Sequence, residues 1–417
     1  MLLSFRVTNH RSLRKEQQLL LTPTYPDDLA EEATWDAVSV AGIFGANASG
    51  KSNVLHALGY MRDLVRGSLR DSDSTPGVQR YPFALDQTSR EEPSVFVVDI
   101  LVRNVRHTYG FAVDDSRITE EWLYTYPHNR RRKVFDRHED DFEWGDSVSQ
   151  KLKKFAEGIE KNVLFLSVAG RFRVDETQAT FEWFTKVRTH TPFPLGFYAE
   201  YSRRLGAGDL ERLTTILRAA DTGIESMELI EESPEQWAAR LAGRRTNSNS
   251  PKRKYLQLRH RGADGETFPL ELRYQSLGTQ ALMELSVLAL EALSVGSVLV
   301  VDEIDRSLHS FLTSQIIGLF KNAETNPLQA QLIFSSHDSA LLGRIQGVEV
   351  LHRDHIWFTE KNDCGETDLF PISAFRPRRE DNRERRYLAG RYGAVPIVKD
   401  ELFEVALASR GEVLNAE

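Results

Sequence analysis

Eight residues, Gly45-Ala46-Asn47-Ala48-Ser49-Gly50-Lys51-Ser52, restrict the folds open to this chain more than any other stretch. They fit the pattern G-x-x-x-x-G-K-[ST]. Residues 38–44, Val-Ser-Val-Ala-Gly-Ile-Phe, lead in as an apolar run of strand length. Behind the loop, Val54, Leu58, Met61 and Val65 recur at helical spacing. Strand, glycine loop and helix together aim backbone N–H groups and a helix N-terminus at a phosphate. The bland alternative is a tight structural turn, but the flanking strand and helix weigh against it. Residues 45–52 and Asn53 are therefore the expected nucleotide-binding segment, with Lys51 on the β- and γ-phosphates.

Composition sets outer limits. The 417 residues suffice for one large domain with an insertion, or for two or three smaller units. A net charge of −8 gives no global attraction to nucleic acid. Cys364 is the single cysteine, which excludes an intramolecular disulfide and a cysteine zinc cluster and suits a reducing cytoplasm. No 18-residue apolar run predicts a membrane span, and residues 1–6 alternate like a strand rather than a signal peptide.

The pattern along the chain predicts an α/β fold with two lobes and an insertion. Residues 1–147 read as a first lobe. It holds strands at 3–7 and 18–22, the phosphate loop, and an antiparallel meander at 95–102, 107–113, 121–126 and 133–136. Residues 148–250 read as mostly helical, with pauses at Pro192, Pro194 and Pro234. Residues 251–373 read as a second lobe. Strands are expected there at 255–258, 267–274, 297–301 and 331–335, and helices at 279–293 and 310–322. Alternating strands and helices argue for a mostly parallel sheet. Residues 374–417 form a basic tail.

Three further segments decide which class of phosphate-loop protein this is. Val298-Leu299-Val300-Val301 ends in Asp302-Glu303. Metal-assisted hydrolysis needs one carboxylate on Mg²⁺, beside the Ser52 hydroxyl, and one to orient and deprotonate water. Asp302 is assigned to the metal and Glu303 to the water; the bland reading is a strand that merely ends in surface acids. Ser335-Ser336-His337-Asp338 follows the next strand, and places His337 where ligand groups collect in open α/β sheets. Ser276-Leu277-Gly278-Thr279 opens a helix and forms either an ordinary cap or a second anion site. One chain has no need of two such termini. Two facing chains do, since each can close the other's nucleotide.

In this order the segments resemble the ATP-binding-cassette heads of SMC, RecF and OLD-type ATPases: phosphate loop, insertion, S-x-G-T helix start, D-E strand end, S-x-H. The resemblance covers nearly the whole chain. It is greatest to a bacterial group of AAA-family ATP-binding proteins that share Phe44–Ser52, Asp302-Glu303-Ile304-Asp305 followed by Leu308-His309, and the late run from Tyr387 to Pro396. That group includes ATPase subunits of anti-phage and abortive-infection pairs of the PARIS and RloA/RloB types. The resemblance implies ATP and Mg²⁺ as cofactors and a homodimer that sandwiches ATP. Ser276, Gly278 and Thr279 would act in trans, His337 as a switch histidine, Asp305 in a coupling loop, and Arg11 and Ser12 near the nucleotide. It further implies a separate effector protein encoded nearby. This chain departs from the pattern in its S-L-G-T signature, which lacks the double glycine, and in Ser310 after His309 where proline is expected. The glutamine loop has two candidates, Gln79 and Gln87.

Two basic stretches remain. Residues 244–261 carry seven Lys or Arg and no acid, and could hold a nucleic-acid backbone or simply be solvated. Residues 376–391 carry seven Arg against Glu380, Asp381 and Glu384, and are expected to dock a partner. The leading function is a dimerising ATPase that gates an effector in phage defence; the competing one is a RecF-like clamp on duplex DNA. A single-chain OLD-type nuclease is disfavoured, because the residues after His337 leave little room for a second catalytic domain.

Overall fold

The computed structural model describes residues 1–28, 35–71, 77–190, 207–220, 222–232 and 253–396. A six-stranded sheet forms the centre, in the order β18-β17-β3-β14-β13-β9. Its members are β3 (Val40–Phe44), β9 (Arg188–His190), β13 (Val298–Val301), β14 (Gln331–Ser335), β17 (Ile356–Lys361) and β18 (Thr367–Pro371). All neighbours run parallel except β18, which returns antiparallel to β17.

Why these strands read as unbroken apolar runs is visible in the core. Ala41, Ile43, Val298, Val300 and Ile333 face one hydrophobic cluster. Val40, Phe44, Leu299, Val301, Leu332 and Phe334 face the other. Successive side chains alternate between faces, so a strand covered on both sides carries hydrophobes at every position. The helices Leu277–Val295 and Ser310–Lys321 cover the second face. The helix Lys51–Asp71 covers the first, with Val54, Leu58, Met61 and Val65 at 2% exposure or less. Leu58→Ala is expected to cost about 2–5 kcal/mol, the range for a buried leucine. Urea denaturation of the purified variant measures it, and an unshifted midpoint would contradict the packing.

On the first face lies a seven-stranded antiparallel sheet, ordered β2-β1-β4-β5-β6-β7-β8. It comprises β1 (Leu2–Thr8), β2 (Gln17–Leu20), β4 (Ser94–Val102), β5 (Val105–Val113), β6 (Ile118–Tyr126), β7 (Arg132–His138) and β8 (Asp141–Trp144). The expected meander is present, extended by β8 at one end and by β1 and β2 at the other. Fully buried Glu121 fastens it to the helix Phe165–Arg171, accepting the N–H groups of Phe165 (2.6 Å) and Leu166 (2.9 Å) and the Tyr109 hydroxyl (2.9 Å).

Residues 148–250 are less uniformly helical than expected. Helices Gln150–Lys154, Phe165–Arg171, Asp175–Lys186 and Ala207–Ala219 are present. So are β9, which joins the central sheet, and β10 (Ile224–Glu232), which pairs with β11 (Arg253–Arg261) and then β12 (Thr267–Glu271). Pro192, Pro194, Pro234 and residues 244–252 lie outside the described residues. Within β11 the basic run meets acids across the strand pair. Arg259 bonds Glu228 at 2.9 Å and Arg261 bonds Glu225 at 2.9 Å. Those two charges of the positive stretch are therefore compensated.

The tail also differs from expectation. A two-stranded hairpin, β15 (Arg344–Ile345) and β16 (Val348–Glu349), precedes β17. Arg383 is buried against Glu349 of this hairpin. Tyr387 and Tyr392 stack on Phe358 of β17, each with ring centroids 5.5 Å apart. Residues 376–396 thus close the second core rather than forming a free docking arm. Removing everything after Phe375 would uncover Phe358, so such a truncation would test folding before partner binding. No helix among the described residues is long and apolar enough to cross a membrane.

Candidate nucleotide site

The phosphate loop joins β3 to the helix Lys51–Asp71. Gly50 has φ 109°, which L side chains rarely adopt, and a Cβ there would collide with the Thr367 side chain. Lys51 turns back over the loop, its Nζ donating to the carbonyls of Gly45 (2.8 Å) and Ala46 (2.9 Å) and lying 3.4 Å from His337 Nδ1. Burial pulls the Lys51 ammonium down to about 8, against the opposing pull of Asp302, Asp305 and Glu303. A triphosphate would hold this group charged. Nucleotide binding should therefore take up a proton as pH rises past the free lysine's value, and affinity should fall by up to about tenfold per pH unit there. Titration calorimetry in buffers of different ionisation enthalpy reads the uptake. Uptake of no proton one unit above that value would remove Lys51 from this role.

Ser52 Oγ donates to Asp302 Oδ1 at 3.0 Å, so the hydroxyl and carboxylate assigned to the metal are neighbours. Ser335 Oγ donates to the same oxygen at 2.5 Å and accepts the Glu303 N–H at 2.8 Å. Among the described residues no cluster of three or more His, Cys, Asp or Glu could hold a metal unaided. The neighbouring Ser52 hydroxyl and Asp302 carboxylate fit Mg²⁺, which takes one or two protein oxygens and completes its shell with water and phosphate. Glu303 adopts φ 52°, an uncommon conformation for a non-glycine residue. Its Oε1 lies 3.9 Å from His337 Nε2, and the His337 N–H points at Asp305 Oδ1, 3.4 Å away. Lys51, Ser52, Asp302, Glu303, Asp305 and His337 therefore converge from three separate strand ends.

Arg11 and Ser12, after β1, reach the site through Asn53. Asn53 Nδ2 donates to Ser12 Oγ at 2.6 Å, and Arg11 lies 3.4 Å from Asn53 Oδ1 and over the Tyr81 ring. Burial lowers the Arg11 guanidinium below the usual arginine range, offset by Tyr81 and Asp302. A cavity of about 770 Å³ runs from Ser52 and Asp302 along the helix Lys51–Asp71, with Gln79, Asn162 and His190 on its walls. Gln79 thus lines the same cavity as Ser52 and Asp302. Gln87 begins the short helix Gln87–Glu91 and bonds Glu91 at 3.2 Å.

Four contributors escape a reading by motif. Thr359 and Thr367 brace the loop: Thr359 Oγ1 is 2.7 Å from Ser49 Oγ, and Thr367 Oγ1 is 2.8 Å from the Ser49 carbonyl and 2.7 Å from Ser12 Oγ. Ser335 orients both members of the Asp302-Glu303 pair. His190 ends β9 and accepts the Asp302 N–H on its carbonyl at 3.1 Å. The serine had one signal, its place at the end of the apolar strand before His337; the others had none.

Ser276, Gly278 and Thr279 are not brought to this site within one chain. Ser276 caps the helix Leu277–Val295, its Oγ accepting the Thr279 N–H at 3.1 Å, and it is exposed between Tyr274 (63%) and Leu277 (72%). A Cβ on Gly278 would approach the Ser307 carbonyl at 2.9 Å, so the loop after Asp305 packs against this helix start.

Two solved structures align with the chain over most of its length. An SMC head bound to the C-terminal winged-helix domain of ScpA aligns at 13% identity and TM-score 0.44, covering 90% of this chain and 99% of that one. The SMC head domain from Thermotoga maritima aligns at 13% identity and TM-score 0.41, covering 89% and 98%. No curated protein matches the chain. A family model described as "AAA domain, putative AbiEii toxin, Type IV TA system" matches residues 40–343, a span that runs from β3 past His337 and takes in every site residue named above except Arg11, Ser12, Thr359 and Thr367. The chain belongs to this AAA-domain family.

Proposed function

We propose that the protein is a Mg-dependent ATPase whose ATP-bound form is a homodimer, and that the dimer gates a separate effector in anti-phage defence. One observation carries the dimer: Ser276, Leu277 and Tyr274 stand exposed at a helix N-terminus, away from the cavity that Ser52 and Asp302 line. A capped helix start flanked by exposed apolar side chains can close over a nucleotide only if that nucleotide belongs to another copy. In the catalytic step Lys51 neutralises the β- and γ-phosphates, and Ser52 and Asp302 would hold the metal, which supplies charge neutralisation when bound. Glu303 takes the proton from the attacking water, and His337 senses the γ-phosphate. Gln79 is the glutamine-loop residue, because it shares a cavity with Ser52 and Asp302. The defence role draws on the family's description, which names a putative AbiEii toxin and a type IV TA system.

Ser276→Arg tests the dimer. It should leave monomer ATP affinity near wild type, abolish ATP-dependent dimerisation in gel filtration, and lower turnover. A variant that still dimerises and hydrolyses normally would remove the trans role. The RecF-like clamp competes, but the cation pairs within β11 take away part of its positive surface. Tight duplex binding with a steep salt slope would favour the clamp; co-purification with the product of a neighbouring gene would favour the gate.

A further inference from the structure

Strand β9 holds only Arg188, Thr189 and His190, yet it is the parallel neighbour of β13, with His190 opposite Val301. Its final carbonyl accepts the Asp302 N–H. The side chains of Arg188 and His190 reach from the sheet to the helix Leu277–Val295. Arg188 Nε and Nη2 both donate to Glu291 Oε1, at 2.9 and 2.8 Å. His190 Nδ1 lies 3.5 Å from Glu284 Oε1. Glu284 and Glu291 stand about two helical turns apart and so share one face of that helix. The helix is the one that Ser276 caps, and a 19-residue helix moves as a rod of about 28 Å.

The two contacts differ in kind. Arg188–Glu291 is closed, and Arg188 is also fixed to the carbonyls of Thr185 and Lys186 at 2.8 and 3.2 Å. His190–Glu284 is longer, at 3.5 Å. Glu284 Oε1 is buried with no hydrogen-bond donor among the described residues. A buried acceptor without a donor is costly, and an approach of about 0.6 Å would complete an N–H···O bond.

We propose that β9 couples the signature helix to the metal-side carboxylate. Docking of the Ser276 end tilts the helix about the Arg188–Glu291 pair, closes His190 onto Glu284, and shifts Asp302 through the His190 carbonyl. Arg188, His190, Glu284 and Glu291 are positioning residues, and the inference rests on the dimer reading above.

The test measures turnover per chain against protein concentration, alongside binding of a fluorescent ATP analogue and ATP-dependent dimerisation. Wild-type turnover should rise as dimers form. Glu284→Met and Arg188→Met should bind the analogue and dimerise as wild type does, yet lose about 5- to 150-fold of the concentration-dependent stimulation. The reversed pair Arg188→Glu with Glu291→Arg should recover stimulation that Arg188→Glu alone lacks. Full stimulation in the methionine variants overturns the coupling and leaves the dimer standing. Equal failure of Arg188→Glu and the reversed pair, or joint loss of nucleotide binding and dimerisation, makes the contacts merely structural and overturns it too. A wild-type protein whose turnover is independent of concentration overturns the dimer reading and the coupling with it.

Discussion

Replacing Glu303 with glutamine is expected to slow ATP turnover by about 10²- to 10⁴-fold, the contribution of a positioned general base, while ATP still binds. The backbone gives the reason for expecting a clean effect. Glu303 sits at φ 52° and its N–H is held by Ser335 Oγ at 2.8 Å. Glutamine has the same length and needs nothing different from that backbone, so the loop should keep its shape and lose only the proton acceptor. Asp302, which Ser52 and Ser335 both contact, is untouched. The variant should therefore accumulate as a long-lived ATP-bound dimer, seen as a mass shift that appears with Mg-ATP and persists. Hydrolysis at the wild-type rate would show that another group takes the proton. Loss of ATP binding would show that Glu303 has a structural part instead.

Lys51→Ala should act one step earlier. Each hydrogen bond from a charged group contributes roughly 1.5–3 kcal/mol. Losing one to each of two phosphates should then weaken ATP binding by about 10²- to 10⁴-fold, with turnover lost along with it. The lysine also holds the carbonyls of Gly45 and Ala46, so the loop itself should loosen. Equilibrium binding of a labelled nucleotide separates this outcome from that of Glu303→Gln, which spares affinity. Arginine at position 51 should not rescue. Its planar fork differs from the compact ammonium that fits between the two carbonyls and His337.

What a reader of the sequence could see follows the range of the interactions. The phosphate loop, the Asp302-Glu303 strand end and His337 are each built from a strand and the turn after it, so a few adjacent residues announce them. The covered face of the helix Lys51–Asp71 was legible for the same reason: Val54, Leu58, Met61 and Val65 carry the period. β9 was not, because three residues are too few to show any period and its place in the sheet depends on β13 more than a hundred residues later. The sequence leaves the basic run open between a nucleic-acid surface and a solvated stretch, because Glu225 and Glu228, which pair with Arg261 and Arg259, lie on β10, which the insertion's helical pattern conceals. The arginine-rich tail misled by composition. Its charges dominate the count, whereas Tyr387, Tyr392 and Arg383 decide where it goes, by stacking on Phe358 and pairing with Glu349.

The antiparallel pair β17–β18, which braces the phosphate loop, has a consequence for the protein's synthesis. Thr359 and Thr367 touch Ser49 and Ser12 across 310 to 355 residues of chain. Contacts of such separation form late and slowly. At about 5–20 residues per second, a ribosome would leave the Gly45–Ser52 segment waiting some 15–60 seconds for its second wall. A nascent or prematurely terminated chain would carry the whole loop and the Asp302-Glu303 pair, yet have nothing to hold Ser49 and Ser12 in place. Under the proposed reading, in which the ATP-bound form gates an effector, the order of synthesis would itself act as a safety catch: only a nearly finished molecule would have its phosphate loop braced on both sides.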